Sequence, residues 1–175
     1  GLPMVLPFLT LYATREVGID LSWVGWFVLA QQGGAIVSNL AWIPVGNRLG
    51  TRAVILCGLG LSTISLTIIL LTTSPFAIAL AFAAGGGARS ALVVGFGGYI
   101  LELGTAALRP LLFALERTLL MPLYFMPLLG GWVADSFGYS RVVLLGLGFV
   151  AAALLAAPRL CEPRRGGRAC GPEPC

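Results

Sequence analysis

The sequence predicts an all-α membrane protein, a polytopic bundle of transmembrane helices with five full spans and a truncated first one. Hydrophobic residues make up 58% of its 175 residues and charged residues only 10%, whereas soluble domains carry about 25% charged residues. Too few polar side chains remain to cover a surface in water, so lipid is the expected solvent. The apolar runs are roughly twice the 9–11 residues of a membrane strand and do not alternate with polar residues, which favours helices over a β-barrel.

The first apolar run, residues 2–13, is too short to cross a bilayer of about 30 Å at about 1.5 Å per residue. It is therefore expected to be the end of a cut helix or a re-entrant piece, and the absence of an initiator Met before Gly1 favours a truncated start. Asp20 and Ser22 are candidate caps for the next helix. Further helices are predicted at residues 23–44, 53–72, 76–101, 110–133 and 142–157. The first connection, between the first apolar run and the next helix, covers residues 14–22. Four further connections are predicted at residues 46–52, 73–75, 102–109 and 135–141.

The composition changes sharply at Pro158, where apolar runs give way to Pro, Gly, Arg and Cys. Such a segment has almost no apolar surface to bury and is expected to be disordered. The chain is therefore divided into a membrane domain, residues 1–157, and a disordered tail, residues 158–175.

Arginine placement predicts the orientation of the helices in the membrane. The second and fourth connections and the tail hold seven arginines, Arg48, Arg52, Arg109, Arg159, Arg164, Arg165 and Arg168. The first, third and fifth connections hold only Arg15 and Arg141. By the positive-inside bias, the 46–52 turn and the tail are expected in the cytosol.

Several function classes are disfavoured by the residues that the chain lacks. It has no histidine, which removes the commonest metal ligand and general base. No H-E-x-x-H or G-x-S-x-G pattern occurs, so an intramembrane enzyme is not expected. The spacing of the four cysteines matches no zinc or haem pattern, and the scattered arginines form no basic stripe for nucleic acid. No cofactor and no metal site are predicted.

The turn between the second and third helices, residues 46–52, reads GNRLGTR. It resembles the cytoplasmic signature G-x-L-a-D-R-x-G-x-R of the major facilitator superfamily, with Arg48, Gly50 and Arg52 matching its later part. Asn47 stands where the family usually has Asp, and Ile43 where it has the first Gly. Losing the carboxylate is expected to weaken the clamp between arginines and acidic groups that the signature implies.

Further stretches resemble the second half of the same family. Residues 130–139, GGWVADSFGY, are similar to the link between helices eleven and twelve in many bacterial members. Residues 7–12, 24–42 and 99–110 resemble helix seven, helix eight and the link from helix ten to eleven. The resemblance covers about residues 1–157. It implies the C-terminal six-helix half of a twelve-helix transporter in the cell (inner) membrane, whose two halves rock around a central solute site. It also implies that no cofactor is used.

Three charged side chains lie within the predicted spans: Arg89, Glu116 and Arg117. A charge near the centre of the bilayer costs at least about 2.5–3.5 kcal/mol, so it usually faces the protein interior. One hypothesis is that Arg89 binds an anionic group of a solute while Glu116 carries a coupling proton. The alternative is an Arg89–Glu116 ion pair between adjacent helices, with Arg117 reaching the membrane interface.

Polar residues in the second helix are further candidates for the solute pathway. Gln32 and Asn39 are seven residues apart and share one helix face, although each of them, like Gln31, is equally suited to bridging helices. At the cytosolic side, Glu102 is expected to form a gate latch with Arg48 and Arg52. The alternative there is a set of solvated charges at the membrane surface, touching anionic lipid.

Two functions remain open on the sequence. The first is secondary active or facilitative transport of a small solute by alternating access, together with the N-terminal half of the same transporter. The alternative is a non-transporting membrane fragment or partner subunit. It is supported by Asn47, which replaces the usual Asp of the family signature, and by the unusual composition of the tail. The sequence names no solute.

Overall fold

A computed structural model describes residues 8–103 and 107–157, and every element in these two ranges is a helix. Residues 8–11 are helical and lead into a π-helical turn, Tyr12–Glu16. The long helices are α1 Trp23–Leu49, α2 Thr51–Leu71, α3 Pro75–Leu103, α4 Arg109–Leu120, α5 Met126–Phe137 and α6 Tyr139–Ala156, with a 3₁₀ turn, Met121–Phe125, between α4 and α5. The tail predicted at residues 158–175 lies outside the described residues.

The predicted all-α membrane bundle is confirmed. Within the described ranges, four helical segments are long and apolar enough to cross a membrane: Thr51–Leu71, Pro75–Glu102, Arg109–Phe137 and Tyr139–Ala156. Helix α1, the remaining predicted full span, is 27 residues long but is not among these four, because Gln31, Gln32, Ser38 and Asn39 lower its apolar character. At about 1.5 Å per residue it still has the length of a span.

Two predicted turns are shorter than the sequence suggested. The 46–52 turn is helical except at Gly50 (φ +89°), and the 135–141 turn is helical except at Gly138 (φ +88°). Only glycine adopts this backbone conformation without steric cost, so one residue suffices to reverse the chain. Helix α1 also continues past Pro44 to Leu49, where the prediction had ended it at the proline.

The predicted continuous helix 110–133 is also corrected. Helix α4 ends at Leu120, a 3₁₀ turn follows, and α5 begins at Met126. Pro122 lies at the start of the 3₁₀ turn and Pro127 at the start of α5. Since proline lacks a backbone N–H and crowds the preceding turn, two prolines five residues apart interrupt regular helix hydrogen bonding.

Helix α3 lies at the centre of the bundle, with α1 and α2 packed along it and α6 packed against α2. Glycine allows the helices to pack closely at several positions. A Cβ at Gly34 would overlap the Ala83 carbonyl group, and one at Gly86 would overlap that of Gln31. Between α2 and α3, a Cβ at Gly58 would lie 2.8 Å from the Ala91 Cβ. Small residues thus let the helix backbones touch where lipid supplies no hydrophobic drive.

The path of the chain defines two ends of the bundle. The Gly50 end contains the link from α1 to α2 and, because α3 returns to it, the end of α3. The Gly138 end contains the link from α5 to α6 and the π-helical turn, which is joined to the start of α6 by hydrogen bonds. Every candidate residue described below lies at one of these ends or on the helices between them.

Candidate functional site

A polar contact joins α1 and α3 in the middle of the bundle. The Ser90 hydroxyl donates a hydrogen bond to Asn39 Oδ1, and the buried Trp42 Nε1–H donates one of 3.1 Å to the Gly87 carbonyl oxygen. The helices approach this closely because Gly86 and Gly87 pack directly against α1. Asn39, a candidate from the sequence, therefore accepts an interhelical hydrogen bond. Its side chain is also exposed.

Gln32, Asn39, Arg89 and Ser90 form what we call the polar face of α1 and α3. Gln32 follows Gln31, whose carbonyl group touches Gly86, and Gly86 is three residues before Arg89 on the same side of α3. Gln32, Asn39 and Arg89 are exposed. Of the four predicted pathway residues, Asn39 therefore lies in the contact between α1 and α3, and Gln32 and Arg89 are exposed on the same two helices.

Arg89 and Glu116 are not paired. Within the described residues, Glu116 Oε2 lies 3.8 Å from Nε of its neighbour Arg117, and no ion pair joins it to Arg89. The interpretation of Arg89 and Glu116 as an interhelical ion pair is therefore wrong. Helix α4, which carries Glu116, has no buried residue and does not pack along α3 as the pairing required. An i,i+1 pair with Arg117 67% exposed contributes little to stability.

The predicted gate residues gather around the link at the Gly50 end. A cleft of about 310 Å³ lies between α1, α2 and α3 and is lined by Asn47, Thr51 and Glu102 among others. Glu102 Oε2 accepts a 2.9 Å hydrogen bond from the Thr51 hydroxyl. This contact joins the end of α3 to the first residue of α2, directly after Gly50. Arg48 is exposed and Arg52 is half-buried.

Thr51, Ser90 and Trp42 are site residues that the sequence did not indicate. Hydroxyl residues are common in membrane helices, and the sequence carries no mark that distinguishes Ser90 from Ser62 or Ser65. Only the register of α1 against α3, set by the glycine contacts, places Ser90 beside Asn39. A structure was needed to find them.

Glu16 makes a structural contact that sequence analysis missed. Its carboxylate accepts hydrogen bonds from the Tyr139 N–H (2.6 Å), the Ser140 N–H (3.1 Å) and the Ser140 hydroxyl (2.7 Å). An anionic cap at the start of α6 satisfies N–H groups that lack helix partners and lies at the positive end of the helix dipole. The two partners are more than 120 residues apart in sequence, so no local pattern reveals them.

Asp20 shows the same chemistry locally, ahead of α1. Its Oδ1 accepts a 2.8 Å hydrogen bond from the Ser22 N–H, and the Ser22 side chain and backbone together lower the pKa of Asp20 below its usual range. Of the two predicted caps, Asp20 therefore makes the side-chain contact. Among the residues that the structure describes, no group of three or more His, Cys, Asp or Glu side chains is placed to hold a metal ion.

One of the comparisons with known proteins found a match. A family model described as Major Facilitator Superfamily matches residues 2–168, nearly the whole chain. No curated protein and no solved structure matches the chain.

Proposed function

We propose that this chain, which belongs to the Major Facilitator Superfamily, moves a small solute across the cell (inner) membrane by alternating access, as the C-terminal half of a twelve-helix transporter. Family membership supports membrane transport in general. The finer proposal rests on one observation, the polar face of α1 and α3. The N-terminal half of the same transporter would supply the other wall of the pathway, and the tail would lie in the cytosol.

Exposing the polar face to lipid would cost free energy, because it would place charged and polar side chains in hydrocarbon. Arg89 lies near the middle of α3, is exposed, and makes no ion pair within the described residues. A charged side chain at this depth normally faces the protein interior or a water-filled cavity. The exposed amides of Gln32 and Asn39 lie on the adjacent helix. These side chains support a surface that borders an aqueous pathway rather than hydrocarbon.

Each of the four predicted pathway residues has a proposed role that follows from its chemistry. Arg89 offers planar guanidinium donors, which suit a carboxylate or phosphate group on the solute. Gln32 and Asn39 supply both donors and acceptors and would orient the solute's polar groups. Glu116 stays a proposed carrier of a coupling proton, although its contact with Arg117 makes it the weaker candidate.

The Gly50 end is the proposed cytoplasmic gate. The Thr51–Glu102 hydrogen bond ties the end of α3 to the start of α2, and Arg48 and Arg52 flank the same link. Asn47, which lines the cleft beside them, has no charge with which to clamp an arginine. We propose that the Glu102 contacts close when the pathway is shut on this side and open when it faces the cytosol.

Uptake by proteoliposomes tests the proposal. The full-length protein is assayed with a panel of labelled small carboxylates, phosphate esters and uncharged sugars, beside an Arg89→Ala variant. Since Arg89 is proposed to bind the anionic group, its loss is expected to weaken uptake of an anionic solute at least about tenfold, as for one lost charge-assisted contact.

Arg15→Ala is the matched control, because Arg15 is an exposed arginine of the π-helical turn outside the polar face. It is expected to leave uptake unchanged. Unaltered uptake and affinity in Arg89→Ala would remove Arg89 from the pathway. Absence of uptake for every solute in the wild type would favour the second candidate, a non-transporting membrane fragment or partner subunit, which the uncharged Asn47 in the gate motif supports.

A further inference from the structure

A groove of about 650 Å³ runs along the surface between α5 and α6, away from the polar face and from the cleft at the Gly50 end. We call it the α5–α6 groove. Its walls are apolar, formed by Val133 and Phe137 of α5 and by Leu144, Leu145 and Phe149 of α6. Its floor includes two small residues, Gly148 and Ala152. No atom would lie within 4 Å of a Cβ at Gly148, so the space above this glycine is open.

One end of the groove carries a positive charge. Arg141 lies in the first turn of α6 and lines the groove, and its guanidinium carbon lies 5.5 Å from the centre of the Phe137 ring. Arg141 is exposed and makes no ion pair within the described residues. The Glu16 carboxylate nearby is engaged with the Tyr139 and Ser140 N–H groups.

The length of the groove matches one leaflet of a bilayer. From Arg141 to Ala152 the helix rises about 16 Å at 1.5 Å per residue, and half the hydrocarbon core is about 15 Å. The 18 residues of α6 span about 27 Å, close to the full core thickness. Arg141 therefore lies at the membrane interface when α6 crosses the bilayer, and the groove descends from there toward the bilayer centre.

From this geometry we propose that the α5–α6 groove binds one anionic phospholipid. The headgroup phosphate contacts the Arg141 guanidinium, and an acyl chain lies along Leu144, Leu145 and Phe149 over Gly148. Charge complementarity favours a lipid over a second protein chain. Arg141 makes no ion pair within the described residues, and a cation at the membrane interface fits an anionic headgroup. The apolar groove below it fits a hydrocarbon chain. The lipid would also fill the side of α5 that the described helices leave uncovered.

Two substitutions separate the headgroup contact from the acyl contact. Arg141→Gln removes the charge and keeps a side chain of similar length. Gly148→Leu fills the α5–α6 groove with a larger side chain. Because the space at this position is open, the leucine fits without moving the helices. The controls are Arg15→Gln, which removes another exposed arginine outside the groove, and Gly60→Leu, at a glycine of α2 with no atom near its Cβ position.

The full-length protein and its variants are incorporated into nanodiscs of equal parts phosphatidylglycerol and phosphatidylcholine, extracted, and weighed by native mass spectrometry. The wild type is expected to retain phosphatidylglycerol in preference to phosphatidylcholine. Arg141→Gln should reduce this preference about fivefold, the effect of one basic residue at a membrane surface. Gly148→Leu should abolish retention of one lipid of either kind, and both controls should behave as the wild type.

Equal retention of the two lipids by the wild type, or an unchanged preference in Arg141→Gln, would overturn the proposal. A photoactivatable phosphatidylglycerol applied to the wild type gives a test that does not depend on folding of the variants. Labelled peptides covering residues 144–152 would support the site, and labelling confined to other helices would overturn it. A disulfide-linked dimer formed by Gly148→Cys in the membrane would show a second copy in the groove and would equally refute lipid binding.

Discussion

The helices α1–α3 and the span 109–137 are both apolar, yet they pack in opposite ways. Half of the most apolar stretch of α3 is buried within the bundle, against none of the corresponding stretch of 109–137. The difference follows from side-chain size. Helices α1–α3 meet through Gly34, Gly58 and Gly86. In α4 and the 3₁₀ turn, by contrast, the large apolar side chains are exposed on the surface of the bundle: Leu111, Leu115, Leu119, Tyr124 and Phe125. Apolar character alone therefore brings no helix contact in a membrane, because lipid is equally apolar.

The polar residues of the two regions differ in the same way. In α1–α3, buried polar groups make interhelical hydrogen bonds, such as Trp42 to Gly87 and Ser65 to Ala81. In α4, Thr118 bonds to a carbonyl of its own helix and Glu116 contacts its sequence neighbour. We infer that α1–α3 form the rigid part of the described bundle. The span 109–137 depends for its position on α6 and on whatever surrounds the bundle.

The largest expected effect is at the α1–α3 contact. Gly86→Ala places a methyl group on the Gln31 carbonyl oxygen, so the helices must separate, and overpacking of this kind costs about 1–3 kcal/mol. Thermal unfolding of the full-length protein in detergent measures the loss. Gly97→Ala on the same helix is the control, since nothing lies within 4 Å of its Cβ position. It is expected to be neutral or to stabilise the protein by up to about 1 kcal/mol. Equal behaviour of the two variants would refute the close contact.

An intermediate effect is expected at the Gly138 end, where Glu16 joins the first helical segment to α6. Glu16→Gln keeps the size of the side chain but removes its charge, which weakens hydrogen bonds to the start of a helix. Because Glu16 is exposed, we expect a loss of only about 1 kcal/mol. Hydrogen exchange at the Tyr139 and Ser140 amides should quicken at the same time. Arg15→Gln, which removes a neighbouring charge, should alter neither quantity, and unchanged exchange in Glu16→Gln would contradict the cap.

The smallest effect is expected in α4. Glu116→Gln breaks the contact with Arg117, and since Arg117 is 67% exposed, the free energy of unfolding should change by less than about 0.5 kcal/mol. A loss above about 2 kcal/mol would show that Glu116 has a buried partner in the full-length protein. That result would remove the contrast between the two regions.

The sequence predicts the helices well because each is a long apolar run bounded by polar residues. It predicts the chain reversals poorly. The polar residues at 46–52 and 135–141 predict seven-residue turns, whereas in each case a single glycine with positive φ, Gly50 or Gly138, reverses the chain. It also identifies Gln32, Asn39 and Arg89 as candidates, because polar groups are costly in hydrocarbon. Ser90, which bonds to Asn39, and the distant pairs Thr51–Glu102 and Glu16–Ser140 depend on helix register, which no local pattern encodes.

Accessibility of the polar face to water tests the central claim most directly. In a background with the native cysteines replaced by serine, Gln32→Cys on the polar face is compared with Ile64→Cys, an exposed position in the middle of α2. Both are treated in native membranes with a water-soluble, membrane-impermeant maleimide, which reacts only with thiols that water can reach and ionise. If the polar face lines a solute pathway, Gln32→Cys will be labelled and Ile64→Cys will not. If both stay unlabelled in intact and in inverted vesicles, the polar face does not meet water and the proposed pathway is wrong.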